Sequence, residues 1–536
     1  MAHYSLTPKP ASPSAGEKAE ASGTVLAAAF AALREEFKLA DAYPAEALAD
    51  AEAAIAALTL PAEDATGIEF VTIDPPTSTD LDQAVHIERD GRGYRVRYAI
   101  ADVPAFVRPE GPLDAETRRR GQTIYAADAK VPLHPRDISD DAGSLLADEV
   151  RGAFVWDFSL DADGEVAGVG LTRATVRSRA KLSYAEVQEQ IDAGTAAESL
   201  LLLREVGLKR VELERRRGGA SLNLPEQEIV PAEDGGYRID TRGPRPVEDW
   251  NAQISLMTGM AAASLMIEGR VGILRTMPGP DEKSLRHFRR QTQALGAPWD
   301  GSVPYGEYLR TLDAAQPRHL AILHAAAALF RGAAYTPFDG DVPAEHLQAA
   351  IAAPYAHTTA PLRRLVDRFV LVLCEALANG RDVPEWVRAA LPRLPSLMAA
   401  SDQLAARVER ASLDLVEAAL LVTAVGREFD AVVVSGSKPA AGSPAPTRNG
   451  RPDQPLDRIA SSQNGTAVPN NGPGNGAKTR PLNGQGPQQA RPFGTVQLAD
   501  PPVTARCEGE MESGSTVRVR LVLADVTTRK VLFELA

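Results

Sequence analysis

Cysteine is scarce in this chain, with only Cys374, inside an apolar helical pattern, and Cys507, near the C-terminus, among 536 residues. That excludes a disulfide framework and any cysteine-based zinc site, and both residues read as reduced structural thiols. Long apolar runs are missing too: nothing approaches the roughly 18 apolar residues that a membrane-spanning helix needs. The opening MAHYSLTPKPASPSAGEKAE has no apolar signal-peptide core. The expectation is a cytoplasmic protein without membrane contact. Positive charge is in deficit, with 58 Lys and Arg against 71 Asp and Glu and a formal net charge of -13. A surface that coats nucleic acid is thereby excluded, but a local basic channel is not. Basic clusters occur at Arg118 to Arg120, Arg215 to Arg217, Arg286 to Arg290, and Arg363, Arg364 with Arg368; taken singly, each reads as a solvated helix face.

What is present is a cluster of acid. Asp74, Asp80 and Asp82 fall within nine residues, in IDPPTSTDLDQA. Carboxylates this close repel one another unless a cation lies between them, so a divalent metal is their natural partner; the plainer alternative is a solvated turn. Before the cluster, Ile68, Phe70 and Thr72 alternate with Glu69, Val71 and Ile73, as in a buried strand that ends at the loop. After it, Ala84, Val85 and Ile87, a turn at Asp90-Gly91, and Tyr94, Val96, Tyr98 and Ile100 predict a hairpin. The carboxylates therefore sit at a strand-to-strand connection braced by a sheet, a rigid place for chemistry.

The length predicts two to four domains. Residues 1–22 read as a disordered tail rich in Ala, Ser, Pro and Lys. Residues 23–62 read as a small helical module, open to a helix-turn-helix interpretation, with Val25, Leu26, Phe30, Leu33 and Phe37 at helical spacing. Residues 63–425 form an α+β body with its sheet near the start. Within it, Phe154, Trp156 and Phe158 with Asp163-Gly164 predict a second hairpin, Ser183 and Glu186 a capping box, and Pro246 the start of a helix buried along Trp250, Ile254, Met257, Ala261 and Leu265. Helices are expected from there to about residue 424. Residues 426–536 suggest a five-stranded OB fold interrupted by a disordered Gly/Pro/Asn-rich insertion at 436–491.

At IDPPTSTDLDQA, followed by YAIADVPAFV, the chain resembles the ribonuclease II/R, or RNB, family of processive 3'-to-5' exoribonucleases. GQTIYAADAKVPLHPRDISDDAGSLLADEVRGAF, VRSRAKLSYAEV, RRRGGASLNLPE, VEDWNAQISLMTGMAA and PYAHTTAPLRRLVDRFV resemble later family blocks, in order, over about residues 65 to 425. The C-terminal strands are more weakly similar to the family's S1-type RNA-binding domain. The N-terminus is too short for the paired cold-shock domains many members carry.

The resemblance implies an RNB-type catalytic domain over 63–425, its mixed sheet surrounded by helices, ahead of a C-terminal β-barrel. It implies magnesium-dependent hydrolysis of single-stranded RNA to nucleoside 5'-monophosphates, with two ions about 4 Å apart and manganese able to substitute. Asp74, Asp80 and Asp82 would hold the ions, Asp82 being the position least tolerant of change. Gln83 stands where the family has a fourth aspartate; its amide oxygen can coordinate a metal but brings no charge. Arg363 would stabilise charge on the scissile or adjacent phosphate, with Arg364 beside it, although Ala360 replaces the family's serine. Tyr125 matches the aromatic clamp on the 3'-terminal base, Tyr355 and His357 would line the channel, and Glu409 resembles a glutamate that positions the terminal nucleotide. Leu222 and Leu224 stand where a second clamp aromatic is expected. The implied partner is single-stranded RNA, bound by a monomer with no protein partner identifiable. Two alternatives stay open: a non-catalytic RNA-binding relative with a degenerate metal site, and a metal-dependent phosphoesterase acting on small molecules.

Overall fold

The structure is a computed structural model that describes residues 17–39, 41–222, 224–231, 237–438, 492–498 and 500–536. Most of the expected tail and insertion lies outside these residues. The first helix, Glu17–Glu36, begins inside the stretch read as tail, and the strand Glu428–Lys438 runs into the stretch read as insertion.

The body after the N-terminal helices is organised by one mixed sheet in the order Glu63–Asp64, Val166–Ser183, Phe70–Asp74, Gln83–Asp90, Gly93–Ala101, Val150–Leu160. Strand Val166–Ser183 is 18 residues long and joins both ends of the sheet. It pairs antiparallel with Val150–Leu160 along its first part and parallel with Phe70–Asp74 along its last. Both expected hairpins form. Alternation puts Tyr94, Tyr98, Phe154, Trp156 and Phe158 into one buried cluster with Trp250, Ile254 and Met257 of helix Pro246–Glu268. The capping box also forms: Ser183 Oγ accepts from the Glu186 N–H at 3.2 Å, and the Glu186 carboxylate accepts from the Ser183 N–H at 2.7 Å.

The expected run of helices up to residue 424 is interrupted by strands. Val271–Thr276 and Ala334–Asp339 pair antiparallel, and Glu226–Pro231 pairs with Tyr237–Arg242. Every residue of Val271–Thr276 is buried, so no alternation betrays a strand, and its partner lies about 60 residues on. Between those two strands, helices Glu282–Ala294, Tyr305–Arg310 and Pro317–Ala326 close over a smaller core of Phe288, Trp299 and Tyr308. Leu222 and Leu224 pack against this core.

The helix Leu394–Leu421 is the spine of the molecule, touching the strands Ile124–Tyr125 and Ala334–Asp339 and the barrel strands Thr516–Asp525 and Lys530–Leu535. Leu26 and Phe30 of the first helix pack with Leu415 and Val416 of the spine. The second helix, Ala45–Ala56, packs instead against helix Pro112–Arg120, so the two N-terminal helices serve different surfaces. The C-terminal strands close into a five-stranded barrel around Val433, Val496, Val519, Leu521 and Phe533. Among the described residues, no helix is long and apolar enough to cross a membrane.

Candidate active site

The acidic loop leaves the strand Phe70–Asp74 and is held in shape by polar side chains. Lys181 donates to the carbonyls of Pro76 and Ser78, while Ser144 Oγ accepts from the Leu81 N–H at 2.9 Å and donates to the Thr79 carbonyl at 2.7 Å. A loop fixed at both ends holds its carboxylates where folding put them.

Asp82 is 3% exposed. Its Oδ1 accepts from the Leu362 N–H at 2.8 Å, and its Oδ2 faces Arg363 Nε at 3.3 Å. Burial pushes its carboxyl up to about 8; Arg363 opposes that rise and Asp80 adds to it. Asp74, at the strand end, is pushed up to about 6 by burial, with Arg363 and Lys181 pulling down and Asp80 pushing up. Asp80 pairs with Lys130 Nζ at 3.0 Å and accepts a long hydrogen bond from the Tyr125 hydroxyl at 3.4 Å. Tyr125 and Lys130 are cross-strand partners in a two-rung hairpin, which is how both reach Asp80. Burial and Asp80 hold the Tyr125 phenol above its usual range, so it stays protonated.

The arginine loop comes from the other side. Asp367, fully buried in the first turn of helix Leu365–Ala378, accepts from the Ala360 N–H at 2.7 Å and pairs with Arg364 at 2.8 and 3.0 Å. Arg364 is thereby committed to its own loop. Arg363 is not: it lies deep among protein atoms yet keeps 40% of its side chain accessible, the signature of a recess wall. Tyr355 and His357 precede this loop, their rings 5.6 Å apart and edge-on, and the Tyr335 hydroxyl lies 2.7 Å from His357 Nδ1. Gly259 exists to admit Tyr355, because a Cβ there would lie 2.1 Å from the ring.

Gln83, the expected fourth ligand, has both amide atoms engaged by protein. Its Nε2 donates to the Thr359 carbonyl at 2.5 Å, and its Oε1 accepts from the Tyr98 hydroxyl at 3.0 Å. An aspartate could not donate to that carbonyl, so Gln83 acts as a tie between the two loops. Glu409, on the spine, has a buried oxygen without a hydrogen-bond partner among the described residues, and burial pushes its carboxyl up to about 7. The structure thus brings Asp74, Asp80, Asp82, Tyr125 and Arg363 together.

Sequence reasoning missed Lys130, Lys181 and His134. Lys130 was within reach, five residues beyond Tyr125 in a hairpin-like stretch. His134 carried no signal: buried and pushed down to about 3, it is neutral and donates from Nδ1 to the Leu362 carbonyl at 3.0 Å, bracing the residue whose N–H binds Asp82.

The three aspartates suit a divalent cation by donor chemistry. They offer hard carboxylate oxygens, and two of the three are pushed toward protonation by burial and by a neighbouring carboxylate, a penalty that a cation reverses. Among the described residues, no three His, Cys, Asp or Glu side chains converge as a finished cage. Lys130 and Arg363 partner the carboxylates instead.

The family follows from comparison with known proteins. An RNB domain matches residues 62–379, and an RNase II-type exonuclease C-terminal S1 domain matches residues 484–536. The first match covers more than half of the chain, which therefore belongs to the RNB family. The exosome complex exonuclease RRP44 homolog A of Arabidopsis thaliana is 29% identical over 320 residues, 56% of this chain and 33% of that protein. Exoribonuclease 2 of Edwardsiella piscicida is 29% identical over 220 residues, 39% of this chain and 34% of that protein. The chain thus spans about a third of the length of these curated relatives. In fold it is similar to the apo form of Mycoplasma genitalium RNase R, with a TM-score of 0.76 at 16% identity over 95% of this chain and 78% of that one. It is also similar to yeast Ssd1, a pseudonuclease, with a TM-score of 0.59 at 17% identity over 70% and 49% of the two chains.

Proposed function

We propose that the protein is a metal-dependent 3'-to-5' exoribonuclease that draws single-stranded RNA into the recess and processively releases nucleoside 5'-monophosphates. The observation that carries this reading is the meeting of Asp82 with Leu362 and Arg363, two loops 280 residues apart in sequence that place carboxylates opposite an accessible guanidinium. Mycoplasma genitalium RNase R, whose fold this chain shares, has been solved with single-stranded and with double-stranded RNA.

Asp74, Asp80 and Asp82 would hold Mg2+, or Mn2+ in its place, which when bound supplies a hydroxide nucleophile and screens phosphate charge. Arg363 offers its exposed face to the phosphate and stabilises charge that grows in the transition state. Lys130 adds a second cation near Asp80. Tyr125, its hydroxyl hydrogen-bonded to Asp80, presents a ring on which a terminal base can stack whatever its sequence. Gln83, His134 and Asp367 keep the two loops in register.

Asp82→Asn retains an acceptor for the Leu362 N–H while removing the charge. On end-labelled RNA it should bind like the wild type and lose at least about 100-fold in nucleotide release. Release at the wild-type rate would remove Asp82 from the chemistry. A second reading, a non-catalytic RNA-binding relative, is favoured by one observation: the Gln83 amide already has protein partners on both atoms. Metal titration separates the two. Release that rises with Mg2+ or Mn2+ supports the enzyme, and metal-independent binding of intact RNA supports the alternative.

A further inference from the structure

In three of the four basic clusters, most arginines are paired with carboxylates within the fold. Arg118 pairs with Asp114, Arg119 and Arg120 share Glu116, and Arg215 and Arg216 share Glu212. Arg363, Arg364 and Arg368 face Asp82, Asp367 and Asp114. The helix Glu282–Ala294 differs. Phe288 and Thr292 turn inward, while Lys283, Arg286, His287 and Arg290 follow one another at i, i+3, i+4 and i+7 along an exposed face. Among the described residues, Lys283, His287 and Arg290 have no carboxylate within ion-pair distance. Arg286 pairs with Glu282 at 2.8 Å, an exposed pair of little worth that a phosphate can displace.

The face ends at a cleft of about 400 Å³, with His287, Arg290 and Gln291 on one wall and Val434 and Ser513 of the barrel on the other. The barrel is seated firmly here: Gly514, at φ +78°, comes so close that a Cβ would lie 2.3 Å from the Leu295 side chain. Beyond Val434, the outward side of the barrel continues through Thr495 to Arg506, whose guanidinium lies 3.8 Å over the Phe493 ring.

We propose that this face binds the phosphate backbone of the RNA segment outside the recess, guiding a single strand along Glu282–Ala294 and onto the barrel. The proposal rests on RNA being the substrate of the recess. Charge selects the occupant. The chain carries a net -13, which repels a polyanion generally, and here the local sign reverses. Arginine forks suit phosphate oxygens, and the Arg506–Phe493 pair offers a surface for a base.

The test uses the full chain with Arg286→Gln and Arg290→Gln combined, measuring anisotropy of short and long labelled single-stranded RNA across a salt series, alongside nucleotide release from the short RNA. Long RNA should bind about tenfold more weakly, with a log–log salt slope shallower by about 1.4, two contacts at roughly 0.7 each. Short RNA should bind and be degraded as by the wild type, and Arg286→Lys with Arg290→Lys should restore long-RNA binding. Unchanged affinity and slope for long RNA overturn the proposal and assign the face to another partner, such as an acidic protein surface. Equal losses on short and long RNA overturn it too, because the effect would then lie in the recess. Selective loss on long RNA in a protein that releases no nucleotide supports the face while removing the exoribonuclease reading.

Discussion

Asp82 is withdrawn from water, faces a guanidinium and accepts a backbone hydrogen bond, and still its carboxyl is pushed up to about 8. Burial outweighs both favourable contacts. A raised folded-state value means that Asp82 favours folding most at pH below about 4, where folded and unfolded chains are both protonated, and that this contribution is lost as pH rises through about 8. In metal-free protein, Asp82→Asn should therefore be nearly neutral at pH 3 and stabilising by about 1 to 3 kcal/mol at pH 9, read from denaturant midpoints. A gap that fails to widen with pH would mean that the carboxylate is better solvated than its burial implies. Asp82 and Arg363 were legible in the sequence because each stands inside a motif with a chemical reason for its residue types. The Gln83 tie and the His134 brace were not, since both act on backbone carbonyls more than 200 residues away, and a carbonyl has no sequence identity.

The spine helix Leu394–Leu421 connects the site to the barrel, and Glu417 sits at that junction. It is 3% exposed, accepts from the Thr504 N–H at 3.0 Å, and is pushed up to about 7 by burial against the lowering effect of that bond. Its contribution to folding is complete below about pH 4.5 and disappears as pH climbs through 7. Between pH 5 and 8 the seating of the barrel should weaken by on the order of 2 kcal/mol, and Glu417→Gln should flatten that dependence. Limited proteolysis at the two pH values reads it directly; parallel curves for variant and wild type would acquit Glu417. The hairpins and the capping box were readable because their partners are neighbours in sequence. The pairing of Val271–Thr276 with Ala334–Asp339 was hidden by full burial and by distance along the chain.

The molecule as a whole is an α+β body joined to a barrel whose first two strands stand far apart in sequence. Lys438 and Phe493 are nonetheless Cα partners across the ladder. A tight turn in place of residues 439–491 therefore preserves the register and shortens the loop to be closed. Such a chain should unfold at the same or a higher temperature, with a gain of about 1 to 2 kcal/mol from loop closure. A loss of stability would mean that the segment contributes contacts of its own. The barrel was recognisable as five strand-like pieces on either side of a Gly/Pro/Asn-rich stretch, whereas its seat on Glu282–Ala294 depends on shape complementarity at Gly514 and Leu295.

The 280-residue separation of Asp82 and Leu362 in sequence also sets a schedule. Synthesis runs from the N-terminus, so the acidic loop leaves the ribosome long before the peptide and guanidinium that complete it. Until residue 364 has emerged and docked, the recess has only one wall. A nascent chain, tethered beside its own message and surrounded by ribosomal RNA, therefore carries no assembled site until that point.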